Sequence, residues 1–138
     1  MKEKILKFEG GFHGTSDYAM MSMAPNKDSL KNFPISTPTV PGIPTSINET
    51  MLIAPFNNID ITESIITKYK DELAAIIIEP LNASTLRSCS EEFIIELRDI
   101  CTRENIILIF DEVYTGWAKT GNLFYFMKYD VIPDILTM

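Results

Sequence analysis

Apolar residues in this chain follow two rhythms. Short runs, nearly continuous in Ile and Leu, occur at Lys4–Phe8 (KILKF), Thr50–Ala54 (TMLIA), Ala74–Ile78 (AAIII) and the unbroken Ile106–Phe110 (IILIF), and a last one opens at Pro133–Thr137 (PDILT). Runs this short, rich in Ile and Leu, predict strands buried on both faces of a parallel sheet. Between them the apolar positions recur at helical spacing. Ile61, Ile65, Ile66, Tyr69 and Leu73 make one face, entered by a capping box with Asp60 as N-cap and Glu63 reaching back. Phe93, Ile94, Leu97, Ile100 and Cys101 make a second face, and Ser88-Cys89-Ser90-Glu91 repeats the capping-box spacing before it. Two shorter helices are expected, one capped by Thr15-Ser16-Asp17 and running through Met23, the other over Leu123–Tyr129.

Alternation of the two rhythms predicts right-handed βαβ crossovers. The expected fold class is α/β, a mostly parallel sheet with helices on both faces. Asn26–Asn48 interrupts the pattern with four prolines and no period. A loop of that length in a compact domain is functional or packs against a partner. No internal repeat and no second-domain boundary is visible, so residues 1–138 read as one unit.

Composition narrows the classes. With 138 residues and 46% hydrophobic content, the chain can bury a core of its own. The net charge is −7 and the twelve Lys and Arg are scattered, which excludes the basic face of a nucleic-acid binder. One His and two Cys without a CxxC pattern argue against a zinc site, so metal ligands are expected to be none. Cys89 and Cys101 are expected to be reduced and structural. No apolar run reaches membrane-spanning length and the N-terminus lacks a signal-peptide core; the expectation is no membrane partner and a cytoplasmic location.

Candidate chemistry gathers where strands end. Ile106–Phe110 runs into Asp111-Glu112, Ala74–Ile78 into Glu79-Pro80, and Lys4–Phe8 into Glu9-Gly10-Gly11-Phe12-His13. Parallel strands bring these ends to one edge, where ligands of open α/β sheets bind. A buried carboxylate there stays ionised only against a cation or strong donors. Ordinary structural roles also fit each residue. Asp111 could cap the next turn or pair with a Lys, and Glu79 could cap a helix or touch a dimer mate. Phe12 and Val113 could be packing, and His13 could simply brace a Gly-rich turn. A nucleotide-hydrolysing domain also ends a strand in Asp-Glu, but no GxxxxGK[ST] cradle is present. Glu79 and Asp111 as paired glycosidase carboxylates would leave Phe12-His13 without a role.

Four segments in register, KILKFEGGFHGTSDYA, IIIEP, ILIFDEVYTG and PDILTM, resemble the class III aminotransferases, pyridoxal 5'-phosphate-dependent enzymes of fold type I. The opening is most similar to glutamate-1-semialdehyde aminomutases, and TGWAKTGNLFYF to the ornithine and acetylornithine type. The resemblance covers essentially the whole chain and implies the central part of a cofactor-binding large domain. The strands would be the second to sixth of seven, ordered 3-2-4-5-6. Asp111 would bind the cofactor's pyridine nitrogen, Val113 and Phe12 would lie on its two ring faces, and His13 would orient Asp111 or a water. Glu79 would stand near the cofactor or substrate end. The implied partners are a small-molecule amino donor and acceptor and a second subunit in a homodimer.

The same resemblance places the Schiff-base lysine beyond Met138, and the phosphate-binding loop before Lys4. The chain is therefore expected to be an internal piece of a longer enzyme with no catalytic lysine of its own. The alternative is an inactive remnant that serves only in interactions. After Glu79-Pro80 the family commonly has a Gly-containing turn that carries a polar residue to the cofactor. Here Leu81-Asn82-Ala83-Ser84-Thr85 lacks that Gly and is one residue short, with Asn82 or Ser84 as candidates for the contact.

Overall fold

A computed structural model describes residues 2–24 and 32–138. In chain order the elements are β1 (Lys4–Phe8), β2 (Met51–Ala54), α1 (Ile59–Tyr69), β3 (Leu73–Ile78), β4 (Leu81–Asn82), β5 (Arg87–Ser88), α2 (Glu91–Arg103), β6 (Ile107–Asp111) and β7 (Ile135–Thr137). Five strands form one parallel sheet in the order β2-β1-β3-β6-β7, and β4 with β5 makes a small antiparallel hairpin. The order is the one the resemblance implied.

Alternate residues of the central strands build the main core. Leu6 and Phe8, Leu52 and Ala54, Ile76 and Ile78, and Leu108 and Phe110 join Ile65 and Ile66 of α1 and Phe93, Ile94, Leu97, Ile100 and Cys101 of α2 in one cluster. Phe8 packs edge-on against Phe93, with ring centroids 5.5 Å apart. Both helices thus lie on one face of the sheet, where helices on both faces were expected. The steps β2 to β3 and β3 to β6 run in the same direction across the sheet, so right-handed crossovers put both helices on the same side. The step β1 to β2 runs the other way, and described parts of its connection pack on the opposite face. There Met21, Ile47 and Met51 form a second, smaller core with Ile5 and Ile43 against it.

Several local expectations shift. The N-cap of α1 is Asn58, whose side chain accepts from the Ile61 amide at 3.0 Å; Asp60 lies inside the first turn and Glu63 pairs with Arg103 at 2.8 Å. Ile61 is exposed, and Leu73 opens β3 instead of closing the helix face. Ser90, not Ser88, caps α2 through the Phe93 amide. Residues 15–20 form turns rather than a helix, and the expected helix over Leu123–Tyr129 is a single 3-10 turn at Tyr125–Lys128. Of the irregular stretch Asn26–Asn48, residues 26–31 lie outside the described residues. The rest carries bridges from Pro38 to Met21 and from Ile35 to Leu52, and leads into a 3-10 turn at Thr45–Glu49. Both cysteines are free and buried in the core, and burial pushes both thiols far up, Cys101 to about 12.

Candidate functional site

β6 delivers Asp111 to the carboxyl edge of the sheet. Phe110 points into the helix-side core, so by strand alternation Asp111 points to the other face, beside Thr137, its register partner on β7. Its Oδ2 lies 2.8 Å from Nδ1 of His13, and its Oδ1 accepts from the Val113 amide at 3.3 Å. A carboxylate can only accept, so Nδ1 carries the proton of that hydrogen bond. Burial pushes the Asp111 carboxyl up, but the His13 ring and the Thr137 hydroxyl, with the Val113 amide, outweigh it and hold the group below its ordinary value. Asp111 is therefore ionised at neutral pH.

His13 reaches Asp111 because the chain turns sharply after β1. Gly11 donates to the Phe8 carbonyl at 3.0 Å, and a Cβ on Gly11 would meet that carbonyl at 3.1 Å and His13 Nε2 at 3.0 Å. A side chain here would press on the imidazole and the Phe8 carbonyl, so glycine suits the turn. The outer nitrogen of that ring, Nε2, is buried without a hydrogen-bond partner among the described residues, so the ring's single polar engagement is with Asp111.

Glu79, buried at the end of β3, faces inward to the protein. Oε2 accepts from the Phe12 amide at 3.0 Å and from Asn82 Nδ2 at 3.2 Å, while Oε1 accepts from the Ala83 amide at 3.1 Å. It ties the Phe12 turn to the β4–β5 hairpin. Asn82 is buried in the same knot, donating to the Gly10 carbonyl at 3.1 Å and accepting from Thr85. Ser84 is exposed. Neither of the two candidates for a cofactor contact after Pro80 lines the cavity; Ala83 does.

These elements enclose a cavity of about 480 Å³ lined by Phe12, His13, Gly14, Ile77, Glu79, Ala83, Asp111, Val113, Tyr114 and Thr137. All five residues expected from the sequence are on its wall. Phe12 and Val113, 45% and 62% exposed, present apolar surface at the cavity and belong to neither hydrophobic cluster, so neither is core in this structure. Ile77, Ala83, Tyr114 and Thr137 were not foreseen. Period-2 alternation from Asp111 along β6 and its neighbours would have picked out Ile77, while the hairpin that delivers Ala83 leaves no pattern in the sequence.

A space of this size, mostly apolar, with one ionised acid and an amide-bound second carboxylate, suits a flat aromatic ligand that carries a basic ring nitrogen. The residues present fit the pyridine end of pyridoxal phosphate: Asp111 for the ring nitrogen and the free apolar surfaces of Phe12 and Val113 for stacking.

The family model described as aminotransferase class-III matches residues 1–138. The chain is 39% identical over 139 residues to a glutamate-1-semialdehyde 2,1-aminomutase of Clostridium acetobutylicum and 37% identical over 140 to that of Methanocaldococcus jannaschii, covering 99% of this chain in both cases. It spans 31% of the length of each of these relatives. An omega-transaminase from Sphaerobacter thermophilus superposes with a TM-score of 0.85 at 35% identity, over 98% of this chain and 31% of the other. A glutamate-1-semialdehyde-aminomutase from Pseudomonas aeruginosa PAO1 shares the fold at a TM-score of 0.79 and 23% identity, over 98% of this chain and 28% of its own.

Proposed function

The chain belongs to the class III aminotransferase family, whose members are pyridoxal-phosphate-dependent, and from that premise we propose that it forms the ring-binding part of an enzyme that moves an amino group between an amino compound and a keto acid or aldehyde. The observation that carries the reading is Asp111: an ionised acid at the sheet edge, held by His13 at 2.8 Å, on the wall of a cavity between two uncovered apolar side chains. When bound, pyridoxal phosphate supplies an electron-withdrawing ring that stabilises negative charge at the substrate's Cα. Asp111 holds a proton at the ring nitrogen, which an uncharged group could not retain as firmly. His13 donates through Nδ1 and fixes the carboxylate's orientation. Phe12 and Val113 keep the ring's faces dry. Glu79 holds the Phe12 turn in place through its backbone amide.

Because relatives 39% and 37% identical over 99% of the chain are glutamate-1-semialdehyde 2,1-aminomutases, an amino transfer within one substrate is part of the proposal, alongside transfer between two. A homodimer, a cytoplasmic location and a large-domain context with the Schiff-base lysine elsewhere in the protein belong to the same reading.

The test is Asp111→Ala in the full-length protein. Turnover is expected to fall by about 10³-fold, almost entirely in kcat, since the charge acts on the developing carbanion more than on bound substrate. Near-normal transamination by that variant would overturn the assignment.

A further inference from the structure

Strand β1 carries a lysine on the face away from the helices. Lys7 is fully buried, with Ile53 of β2 as its register neighbour. Its Nζ donates to three backbone carbonyls, those of Gly11, Ala19 and Met21, each at 2.8 Å. An ammonium has three protons and no lone pair, so three acceptors match it fully. Gly11 immediately precedes Phe12-His13, and Ala19 and Met21 lie on the far arm of the same loop. One cation therefore ties both arms together.

The opposite side of the turn is gripped as well. Asn82 donates to the Gly10 carbonyl and Glu79 accepts from the Phe12 amide, so three consecutive residues are each held by a side chain. The charged groups that act on Lys7 are Glu9, just past the end of β1, and Glu79, after β3. β2 brings the apolar Ile53. Of the loop's other titratable groups, Asp17 and Tyr18 are exposed and His13 is engaged with Asp111.

We propose that Lys7 is a positioning residue for the cofactor pocket: its ammonium pins residues 9–22 so that Phe12 and His13 stand at the cavity wall. This rests on the cofactor reading above, and it concerns a lysine that forms no bond to the cofactor. Removing one proton leaves two N–H groups for three carbonyls, which releases one anchor. Burial lowers the amine from its ordinary value to about 8, with Glu9 and then Glu79 pulling it back up. The loop is therefore expected to loosen as pH rises through that value.

The experiment uses the full-length protein without its cofactor and, as probe, pyridoxine 5'-phosphate, which has no aldehyde and cannot bond to an amine. Affinities of wild type and Lys7→Met are compared from about pH 7 to about pH 9.5, so that the probe's own titration cancels. The variant is expected to bind about tenfold more weakly at the lower pH, with the ratio falling at the higher but staying above one, since a neutral amine still holds two of the three carbonyls. Equal affinities at the lower pH, or a ratio that ignores pH, would overturn the proposal. A wild type that never binds the probe would remove the cofactor reading and the pocket with it. Hydrogen exchange in wild type judges Lys7 independently, even where Lys7→Met does not fold. Protection of residues 10–22 should fall about tenfold relative to α2 over the same pH range, after correction for intrinsic rates. Protection that stays in step with α2 sinks the role given to Lys7 and leaves the cofactor reading standing.

Discussion

Asp111 and Glu112 leave β6 one residue apart, and the strand's pleat sends them to opposite sides. Asp111 opens onto the cavity with the His13 imidazole, the Val113 amide and the Thr137 hydroxyl against it. Glu112 is fully buried, accepting from the Thr115 hydroxyl at 2.9 Å and from the backbone amides of Tyr125 and Phe126, and among the described residues no ion pair reaches it. Its own backbone is committed too, donating to the Thr137 carbonyl at 2.9 Å and accepting from Gly116 at 2.7 Å. A Cβ on Gly116 would meet that Glu112 carbonyl at 2.8 Å, so the tight return of the chain needs glycine. The pair teaches that burial and function run opposite ways here. The fully buried carboxylate fastens the 113–129 segment to the sheet, and the one on the cavity wall is open to a ligand.

That contrast can be broken by exchanging the consequences of mutation. Glu112→Ala should give the largest stability loss, about 3 kcal/mol in denaturant unfolding of the full-length protein, because it strands two backbone donors and a hydroxyl in the interior. Asp111→Ala should cost stability far less while carrying the turnover loss already described. If Glu112→Ala unfolds like wild type, or if the two variants trade places, the division between fastening and ligand-binding acids is wrong. His13→Ala comes next in size. Losing a hydrogen bond to a charged group costs about 1.5 kcal/mol, and cofactor affinity should drop about tenfold as Asp111 loses its orientation. A titration of the unloaded protein with pyridoxal phosphate checks this, and unchanged affinity would make His13 a bystander.

Much of the frame was legible before any coordinates. The Ile/Leu-rich runs mark the five strands of the main sheet, and the acids that close two of them mark the ligand edge. What stayed hidden was decided by contacts distant in sequence. The capping-box spacing fits Asp60–Glu63, but the chain leaves β2 early enough for Asn58 to take the extended conformation that a cap requires. Ser88 is drawn into β5, where Arg87 pairs with Asn82, and Ser90 caps instead. The lysine in KILKF carries no local sign of its partners; the carbonyls of Gly11, Ala19 and Met21 meet it only once the loop folds over that face. Likewise nothing local distinguishes Asp111 from Glu112. The pleat decides which one faces the cavity, and that depends on where β6 ends.

The smallest effect is also the most specific, because it follows from the direction of one titration. Asp111 has its folded value held below the ordinary one, mainly because the His13 ring and Thr137 hydroxyl overcome burial. Above the ordinary aspartate value the group is ionised both folded and unfolded, and its contribution to stability is fully present. Between the ordinary value and the lower folded one, the unfolded chain takes up the proton first, so stability falls as pH falls. Below the folded value the contribution is gone. Wild type and Asp111→Asn should therefore differ in unfolding free energy by a constant amount near neutrality, and the two curves should converge through the acid range. The convergence belongs to Asp111 only if His13 is present, so in a His13→Ala background the two should run nearly parallel. Curves that diverge on acidification would mean that the folded carboxyl titrates above its ordinary value, and that burial outweighs the His13 and Thr137 contacts held to favour its charge.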